Sequence, residues 1–189
     1  PAATVAMAGT YSLTVTVAGC TSAQATTTVV INAAPATPTA GSNSPVCMGS
    51  TILLTSNTVA GATYSWTGPS AYGSSVEDPT RPGATAAMAG TYSVTITVGG
   101  CTSLPGTTTV VVNPIPATPT AGSNSPVCTG STILLTSNTV AGATYAWTGP
   151  STFTSALEDP SRPSSTLAMA GTYSVTVTVA GCTSPVGTV

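Results

Sequence analysis

The sequence predicts an all-β protein built from tandem Greek-key β-sandwich modules. Apolar residues alternate with Thr and Ser along several short runs, and clusters of Gly, Pro, Asn and Ser separate these runs. The pentapeptide Ala-Gly-Thr-Tyr-Ser recurs at residues 8–12, 89–93 and 170–174, a spacing of 81 residues both times. About seven short strands in a repeat of roughly this length is the strand content of a Greek-key sandwich.

Each strand prediction in the middle copy depends on which side chains share a face. In a strand, residues two apart point the same way. The alternation therefore places Ile52 with Leu54, and Tyr64 with Trp66, on inward faces, and no run shows the period of a helix. A Thr/Val run closes the copy. The predicted strands are Ser50–Ser56, Thr63–Thr67, Thr91–Val98 and Thr107–Asn113.

Proline-rich segments separate the copies. Asn32 and Asn113 each begin such a segment, and both segments share Pro-Ala-Thr-Pro-Thr-Ala. Alternating prolines favour an extended, semi-rigid backbone, so these segments are predicted spacers between modules. The predicted domains are 1–34, the C-terminal part of a truncated repeat; 35–115, a complete repeat; and 116–189, a repeat without its last strand. This pattern suggests an internal piece of a longer secreted chain, because the first copy begins at Pro1, the equivalent of Pro82.

The composition argues against most catalytic chemistry. Only 3% of the residues are charged, and the sequence contains neither Lys nor His. General acid–base catalysis needs a group that titrates near the working pH, and nucleic-acid binding needs cations that neutralise phosphates. No apolar run approaches the roughly 20 residues of a membrane-spanning helix. We therefore expect no enzyme activity, no cofactor, no nucleic-acid partner and no membrane insertion.

Several segments of the middle copy resemble a known family. Gly49-Ser-Thr-Ile-Leu-Leu, Tyr64-Ser-Trp66 and Ala89-Gly-Thr-Tyr92-Ser-Val look like strands B, C and F of the immunoglobulin superfamily. The longer pattern is similar to the Ig-like and PKD-like repeats of large secreted surface proteins, of the adhesin and gliding type, from Bacteroidetes-type bacteria. The resemblance implies core roles for the tryptophans and for the tyrosine-corner residues: Trp66, Trp147, Tyr92 and Tyr173. Ser56 and Val94 occupy the positions of the B–F disulfide of antibody domains.

Five cysteines follow the repeat in two series. Cys20, Cys101 and Cys182 form one series, and Cys47 and Cys128 form the other. In small secreted sandwiches such cysteines are first expected to form disulfides. Equal spacing in both copies favours pairs within a copy, namely Cys47 with Cys101 and Cys128 with Cys182. A strand of seven residues spans about 23 Å, however, which would keep such a pair apart if strands B and F are parallel. Pairing across a junction, Cys47 with Cys182, is the alternative.

Two further features are candidates for contacts. All the charges lie in Glu77-Asp78-Pro-Thr-Arg81 and its repeat at residues 158–162. A cation site would offer only two carboxylates per copy, whereas calcium takes six to eight oxygens. A local ion pair between Asp78 and Arg81, or a contact to a neighbouring subunit, fits better. Tyr72, matched by Phe153, lies in a loop where an aromatic ring either recognises a partner or packs on its own sandwich.

These observations favour a structural role outside the cell. The leading hypothesis is a repeat region of an extracellular, cell-surface filament or bacterial adhesin stalk, whose partners are copies of itself. Low charge removes the repulsion that keeps proteins apart, so we expect a fibre with an axial repeat of roughly 35 to 50 Å. A module that binds surface glycans or host proteins, and accessory repeats of a secreted enzyme, are the alternatives.

Overall fold

The computed structural model describes residues 3–189, so Pro1, the predicted start of the first copy, lies outside the described residues. The described chain is all-β apart from three short 3₁₀ turns. None of its helices is long and apolar enough to span a membrane. Strand-forming alternation of Thr with Val, and the frequent Gly and Pro, account for this content.

The elements follow the repeat. The first copy contains η1 (Val5–Met7), β1 (Gly9–Leu13), β2 (Thr16–Val17), β3 (Cys20–Thr21) and β4 (Ala25–Val29). The middle copy contains β5 (Gly41–Ser42), β6 (Val46–Cys47), β7 (Ile52–Thr55), β8 (Thr63–Gly68), β9 (Tyr72–Ser74), β10 (Thr80–Arg81), η2 (Ala86–Met88), β11 (Gly90–Val98), β12 (Cys101–Thr102), β13 (Gly106–Val110) and β14 (Val112–Asn113). The last copy contains β15 (Ala121–Ser123), β16 (Ile133–Ser137), β17 (Thr144–Gly149), β18 (Phe153–Ser155), β19 (Ser161–Arg162), η3 (Leu167–Met169), β20 (Ser174–Val179), β21 (Cys182–Thr183) and β22 (Gly187–Thr188).

The chain forms two compact units whose boundaries differ from those of the sequence repeats. Unit 1 contains the chain up to Ser42, with Leu53–Pro79 and Thr91–Thr109. Unit 2 contains Asn43–Ile52, Thr80–Gly90 and Val110–Val189. The last copy therefore lies whole in unit 2, together with two segments and the final short strand, β14, of the middle copy.

Unit 2 contains a sandwich of two sheets. Strands β15, β16 and β19 form one sheet, and β18, β17, β20 and β21 form the other, with β22 also paired to β20. Their inward side chains make one core. Its buried members come from β16, β17 and the β20 region: Ile133, Leu135, Tyr145, Trp147, Tyr173, Val175 and Val177. The alternation read from the sequence is thus the alternation of core and surface.

Unit 1 contains the corresponding five-stranded sheet of the middle copy. The sheet order is β12, β11, β8 and β9, with β13 also paired to β11. Along β11, Tyr92, Val94 and Ile96 are buried, as are Tyr64 and Trp66 on β8. The β1–β4 hairpin of the first copy is exposed along its whole length, including Tyr11.

Several glycines of the middle and last copies permit close approaches that a side chain would block. A Cβ atom at Gly149 would lie 2.4 Å from the ring of Tyr173, and one at Gly68 would lie 2.5 Å from the ring of Tyr92. At Gly106 a Cβ would lie 2.0 Å from the carbonyl oxygen of Pro38, in the proline-rich spacer. These glycines let the tyrosine ring and the spacer backbone lie directly against the sheet.

The closing strand differs from its predicted form. The sequence predicts one strand over Thr107–Asn113, whereas the structure has β13 and β14 with a break at Val111. At this residue the backbone N–H donates to Ser44 Oγ, at 2.8 Å, instead of to a sheet neighbour. The chain there changes partner, and β14 pairs in parallel with β6.

Candidate functional site

The hairpin of β20 and β21 fixes the position of Cys182. We call it, and its equivalent formed by β11 and β12 in the middle copy, the F–G-type hairpin. Strands β20 and β21 are joined by a two-residue turn, with φ of 48° at Ala180 and 81° at Gly181. A positive φ at both central residues is characteristic of a type I′ turn, whose twist matches that of the flanking strands. Glycine adopts this conformation readily. The turn places Cys182 opposite Val179, where its side chain is only 1% exposed.

The parallel pair of β6 and β14 fixes the position of Cys47. The backbone N–H of Val46 donates to Val111 O at 3.0 Å, and that of Met48 donates to Asn113 O at 2.9 Å. Cys47 lies between these two bonds, opposite Asn113 in the register. This short strand therefore holds Cys47 against the residue at which the middle copy ends and its spacer begins.

These two positions meet in a disulfide. Cys47 and Cys182 are bonded at a Cα–Cα distance of 5.6 Å and are 135 residues apart in the sequence. Asn113 supports the same site, because its side-chain Nδ2 donates to the carbonyl oxygen of Ala180 at 3.1 Å. We call Cys47, Asn113, Ala180 and Cys182 the staple. The staple connects a residue of the middle copy to a residue of the last copy.

The favoured pairing within a copy, Cys47 with Cys101 and Cys128 with Cys182, is therefore wrong for this chain. Cys20, Cys101 and Cys128 are free thiols, and Cys20 and Cys128 are exposed. The pairing depends on which segment lies beside each F–G-type hairpin, and in both cases that segment is the end of the preceding copy. The thiol of Cys101 lies 3.4 Å from Asn32 O, at the end of the first copy, just as Cys182 lies 4.0 Å from Asn113 O.

The acidic segment supports the loops around the tryptophan. The indole Nε1–H of Trp66 donates to Glu77 O, and Asp78 Oδ1 accepts the backbone N–H of Ser56 at 2.8 Å. The hydroxyl of Thr58 donates to Glu77 Oε1. Trp66 and Trp147 are each 1% exposed. The carboxylates therefore act as local hydrogen-bond acceptors, and the described residues contain no group of three His, Cys, Asp or Glu that could hold a metal.

The sequence predicts a loop at Tyr72 and Phe153, but the structure places them at the first residues of two short strands, β9 and β18, which pair with β8 and β17. Each ring lies against a tyrosine of its own copy. Tyr72 contacts Tyr92, and Phe153 contacts Tyr173, edge to face with ring centroids 5.6 Å apart in both copies. Both rings are half-buried. Of the two interpretations of this loop, the packing on the chain's own sheet is the one that these contacts match.

Arg162 is part of the same cluster in the last copy. Its guanidinium carbon lies 4.7 Å above the ring centroid of Phe153, and Nη1 donates to the hydroxyl of Tyr173 at 2.7 Å. The Tyr173 hydroxyl in turn donates to Met169 O at 2.9 Å, which is the geometry of a tyrosine corner. Asp159, the equivalent of Asp78, accepts the backbone N–H of Ser137. The ion pair between Asp78 and Arg81 stays a prediction.

The residues that position the disulfide were not among the predicted site residues. Asn32 and Asn113 occupy the same place in both spacers, and each donates through Nδ2 to the first turn residue of a hairpin. The sequence does contain an indication of their role: the Asn is the same in both spacers, although the two residues after it change from Ala-Ala to Pro-Ile. Ser44, which breaks the closing strand, gave no comparable signal.

The sandwich, the buried tryptophan and the tyrosine corner define an immunoglobulin-like all-β fold. No protein-family model matches the chain, and no curated protein resembles it significantly. Among solved structures it is similar to murine CEACAM1b, with 12% identity, a TM-score of 0.46, and coverage of 80% of this chain and 95% of that chain. It is also similar to domains A168–A170 of titin, with 12% identity, a TM-score of 0.45, and coverage of 98% and 74%. A chain from the complex of a mouse coronavirus receptor-binding domain with its murine receptor has 14% identity, a TM-score of 0.48, and coverage of 79% and 96%.

Proposed function

We propose that this chain is a non-enzymatic structural repeat region of an extracellular filament or surface adhesin stalk, in which consecutive copies are covalently joined. The observation that carries the proposal is the Cys47–Cys182 disulfide, which spans from the middle copy to the last. A bond that recurs from copy to copy would make a continuous strand of modules. In this proposal the modules are the repeats predicted at 1–34, 35–115 and 116–189.

The disulfide also supports a location outside the cytoplasm. Disulfides form and persist in oxidising compartments, and small sandwich modules in those compartments use them to compensate for small cores. The disulfide is held by the β6–β14 pair on the Cys47 side and by the hydrogen bond from Asn113 to Ala180 on the Cys182 side, which suits a permanent structural bond. Secretion to a bacterial cell surface agrees with the resemblance of the repeats.

Self-association follows from the surface. The chain carries two cationic and four anionic residues, so repulsion between copies is weak. Lysines and inward-pointing charges usually protect edge strands from edge-to-edge pairing, and this sequence contains no Lys. The favoured partners are therefore copies of the chain itself. Tyr72 and Phe153 support a binding module less well, because both rings are packed on a tyrosine of their own copy.

Electron microscopy and small-angle scattering at low and high salt test the proposal. We expect elongated assemblies that persist in moderate salt, because their cohesion would come from apolar burial, backbone hydrogen bonds and disulfides and not from ion pairs. The axial repeat should be roughly 35 to 50 Å. A compact monomer at both salt concentrations would contradict the filament.

A further inference from the structure

Asn113 contacts the chain beside both cysteines of the staple. Its backbone carbonyl oxygen accepts the N–H of Met48, the residue after Cys47, at 2.9 Å. Its side-chain Nδ2 donates at 3.1 Å to the carbonyl oxygen of Ala180, in the turn that precedes Cys182. All of these residues lie in unit 2. A single residue therefore holds one cysteine through its backbone and the other through its side chain.

The side-chain contact does not depend on the disulfide. Asn32 is the repeat equivalent of Asn113, and its Nδ2 donates to Gly99 O at 3.0 Å, in the F–G-type hairpin of the middle copy. The cysteine of that hairpin, Cys101, is a free thiol. The hydrogen bond thus has nearly the same length with and without a sulfur–sulfur bond beside it. In the staple it can therefore form first and hold the hairpin in place for oxidation.

The position of Cys47 depends on the final strand of the middle copy. β14 pairs in parallel with β6, and this pairing places Asn113 opposite Cys47. Ser44 Oγ accepts the N–H of Val111 at 2.8 Å and so holds the residue before β14. Until β14 has paired with β6, Asn113 does not lie beside Cys47, and its side chain cannot bring the hairpin of the last copy there. The pairing of β14 therefore comes before the staple.

A second cysteine competes for Cys47 by its distance along the chain. Cys101 lies 54 residues after Cys47, whereas Cys182 lies 135 residues after it. The entropic cost of closing a loop grows with its length, so an unfolded chain would bond Cys47 to Cys101 roughly fourfold more often than to Cys182. The structure has the longer loop. Contacts of the folded chain must therefore override the statistical preference, and Asn113 makes such contacts on both sides of the bond.

We propose that Asn113 is the specificity-determining residue for disulfide formation in this chain: it holds the hairpin of Cys182 beside Cys47 after β14 has paired with β6 and before the sulfur–sulfur bond forms. The inference rests on the proposed function, in which consecutive copies are covalently joined, and adds the order in which they are joined. A copy folds, its final strand brings Cys47 to the hairpin of the next copy, and oxidation follows. The bond then joins a copy that is already folded to the one after it.

The bond forms by exchange with a small-molecule disulfide such as oxidised glutathione. Cys47 is half-buried and Cys182 is buried, so Cys47 is the more accessible sulfur. The Cys47 thiolate attacks one sulfur of glutathione disulfide and releases one glutathione thiolate. The Cys182 thiolate then attacks the Cys47 sulfur of the mixed disulfide and releases the second. Two protein thiols are oxidised, one glutathione disulfide is reduced to two thiols, and the two protons pass to the released thiolates.

The test follows disulfide pairing while the whole chain refolds. Reduced, unfolded protein is diluted into oxidised and reduced glutathione, and samples are stopped with acid. Arg81 and Arg162 both precede proline and the sequence contains no Lys, so pepsin at low pH replaces trypsin for the peptide map and keeps exchange halted. Wild-type protein should accumulate the Cys47–Cys182 peptide pair in excess of Cys47–Cys101. A second measurement titrates oxidised, folded protein with reduced glutathione and does not depend on refolding.

Matched variants separate pairing from general stability. Asn113→Ala should lower the exchange constant of Cys47–Cys182 with glutathione roughly two- to tenfold, the size expected for one hydrogen bond. Asn113→Asp removes the donor with little change of shape and should act in the same direction. Asn32→Ala is the control, since it removes the same hydrogen bond at a hairpin outside the staple and should leave this constant unchanged. Ser44→Ala should slow the appearance of the pair, because it loosens the residue before β14.

The outcomes distinguish the inference from the proposed function. An unchanged exchange constant in Asn113→Ala, or an equal fall in Asn32→Ala, would overturn the inference and leave the proposed function standing, because the bond between the copies still forms. Formation of Cys47–Cys182 at the wild-type rate in Ser44→Ala would overturn the order of events. Cys47–Cys101 as the main pair of the folded wild-type protein would overturn both the inference and the proposed function.

Discussion

Trp66 and Glu77 are joined by a hydrogen bond from the indole Nε1–H to the backbone carbonyl oxygen, at 3.0 Å. Trp147 and Glu158 repeat the bond at 3.1 Å. The bond ties the largest buried side chain of each copy to the segment that contains all the charges. It explains why the charged segment is placed so uniformly in both copies although its carboxylates are largely at the surface.

Replacement of Trp66 by Ala should lower the free energy of unfolding by about 3 to 5 kcal/mol, because a fully buried ring is lost and a cavity remains. The indole also leaves Glu77 O without its donor. Tyr72→Ala is the comparison, since its ring is half-buried on Tyr92, and its cost should be clearly smaller. Denaturant unfolding followed by far-ultraviolet circular dichroism measures both. Equal losses would contradict the placement of Trp66 in the core.

Replacement of Cys47 by Ser should destabilise the chain by about 4 to 5 kcal/mol in the chain-entropy model, because the bond closes a loop of 135 residues. Cys20→Ser provides the matched control, since Cys20 is exposed and free, and its melting temperature should stay unchanged. Reductant should lower the melting temperature of the wild-type chain to that of Cys47→Ser. A wild-type protein insensitive to reductant would refute a structural role for the bond.

Replacement of Asp78 by Ala should lower the melting temperature by a few degrees at most, because one acceptor for the Ser56 N–H is removed at an exposed position. Asp78→Asn retains a side-chain oxygen and should restore most of the loss. Calcium should change neither variant nor the wild-type protein. A calcium-dependent rise in melting temperature that Asp78→Ala abolishes would show that the segment is a cation site after all.

Replacement of Gly106 by Ala should destabilise the chain strongly, because the new Cβ would lie 2.0 Å from Pro38 O and must displace the spacer backbone. Gly73→Ala is the control, as its Cβ would make an ordinary contact of 3.8 Å with Trp66 O. Thermal unfolding compares the two variants. Similar melting temperatures for both would mean that the proline-rich segment does not lie against β13.

The strands were predictable because their signal is local. Alternation along Thr91–Val98 and the Tyr64-Ser-Trp66 pattern are properties of consecutive residues, and the structure has β11 and β8 at these places. The break at Val111 was not predictable from the same pattern. The break depends on Ser44, which lies 67 residues earlier and accepts the hydrogen bond from the Val111 N–H. The Thr/Val run itself contains no information about this distant partner.

The disulfide pairing also depends on contacts between residues that are distant in the sequence. Both series of cysteines obey the repeat, so spacing alone allows Cys47 to pair with Cys101 or with Cys182. The choice depends on which spacer residue lies against each F–G-type hairpin, and Asn113 lies against the hairpin of Cys182. The length of a seven-residue strand disfavours a pair within one copy, in agreement with the observed bond, whereas equal spacing does not distinguish the two pairings.

The Cys47–Cys182 bond also changes how the chain would carry tension. Residues 48 to 181 form a closed covalent loop, so a pull applied before Cys47 and after Cys182 passes through the sulfur atoms and bypasses everything between them. While the bond is intact, these residues cannot be extended by the pull, which removes roughly 450 Å of contour length at about 3.3 to 3.6 Å per residue. Under load such a molecule stays short even when the loop unfolds or is cut by a protease, and reduction alone releases the stored length.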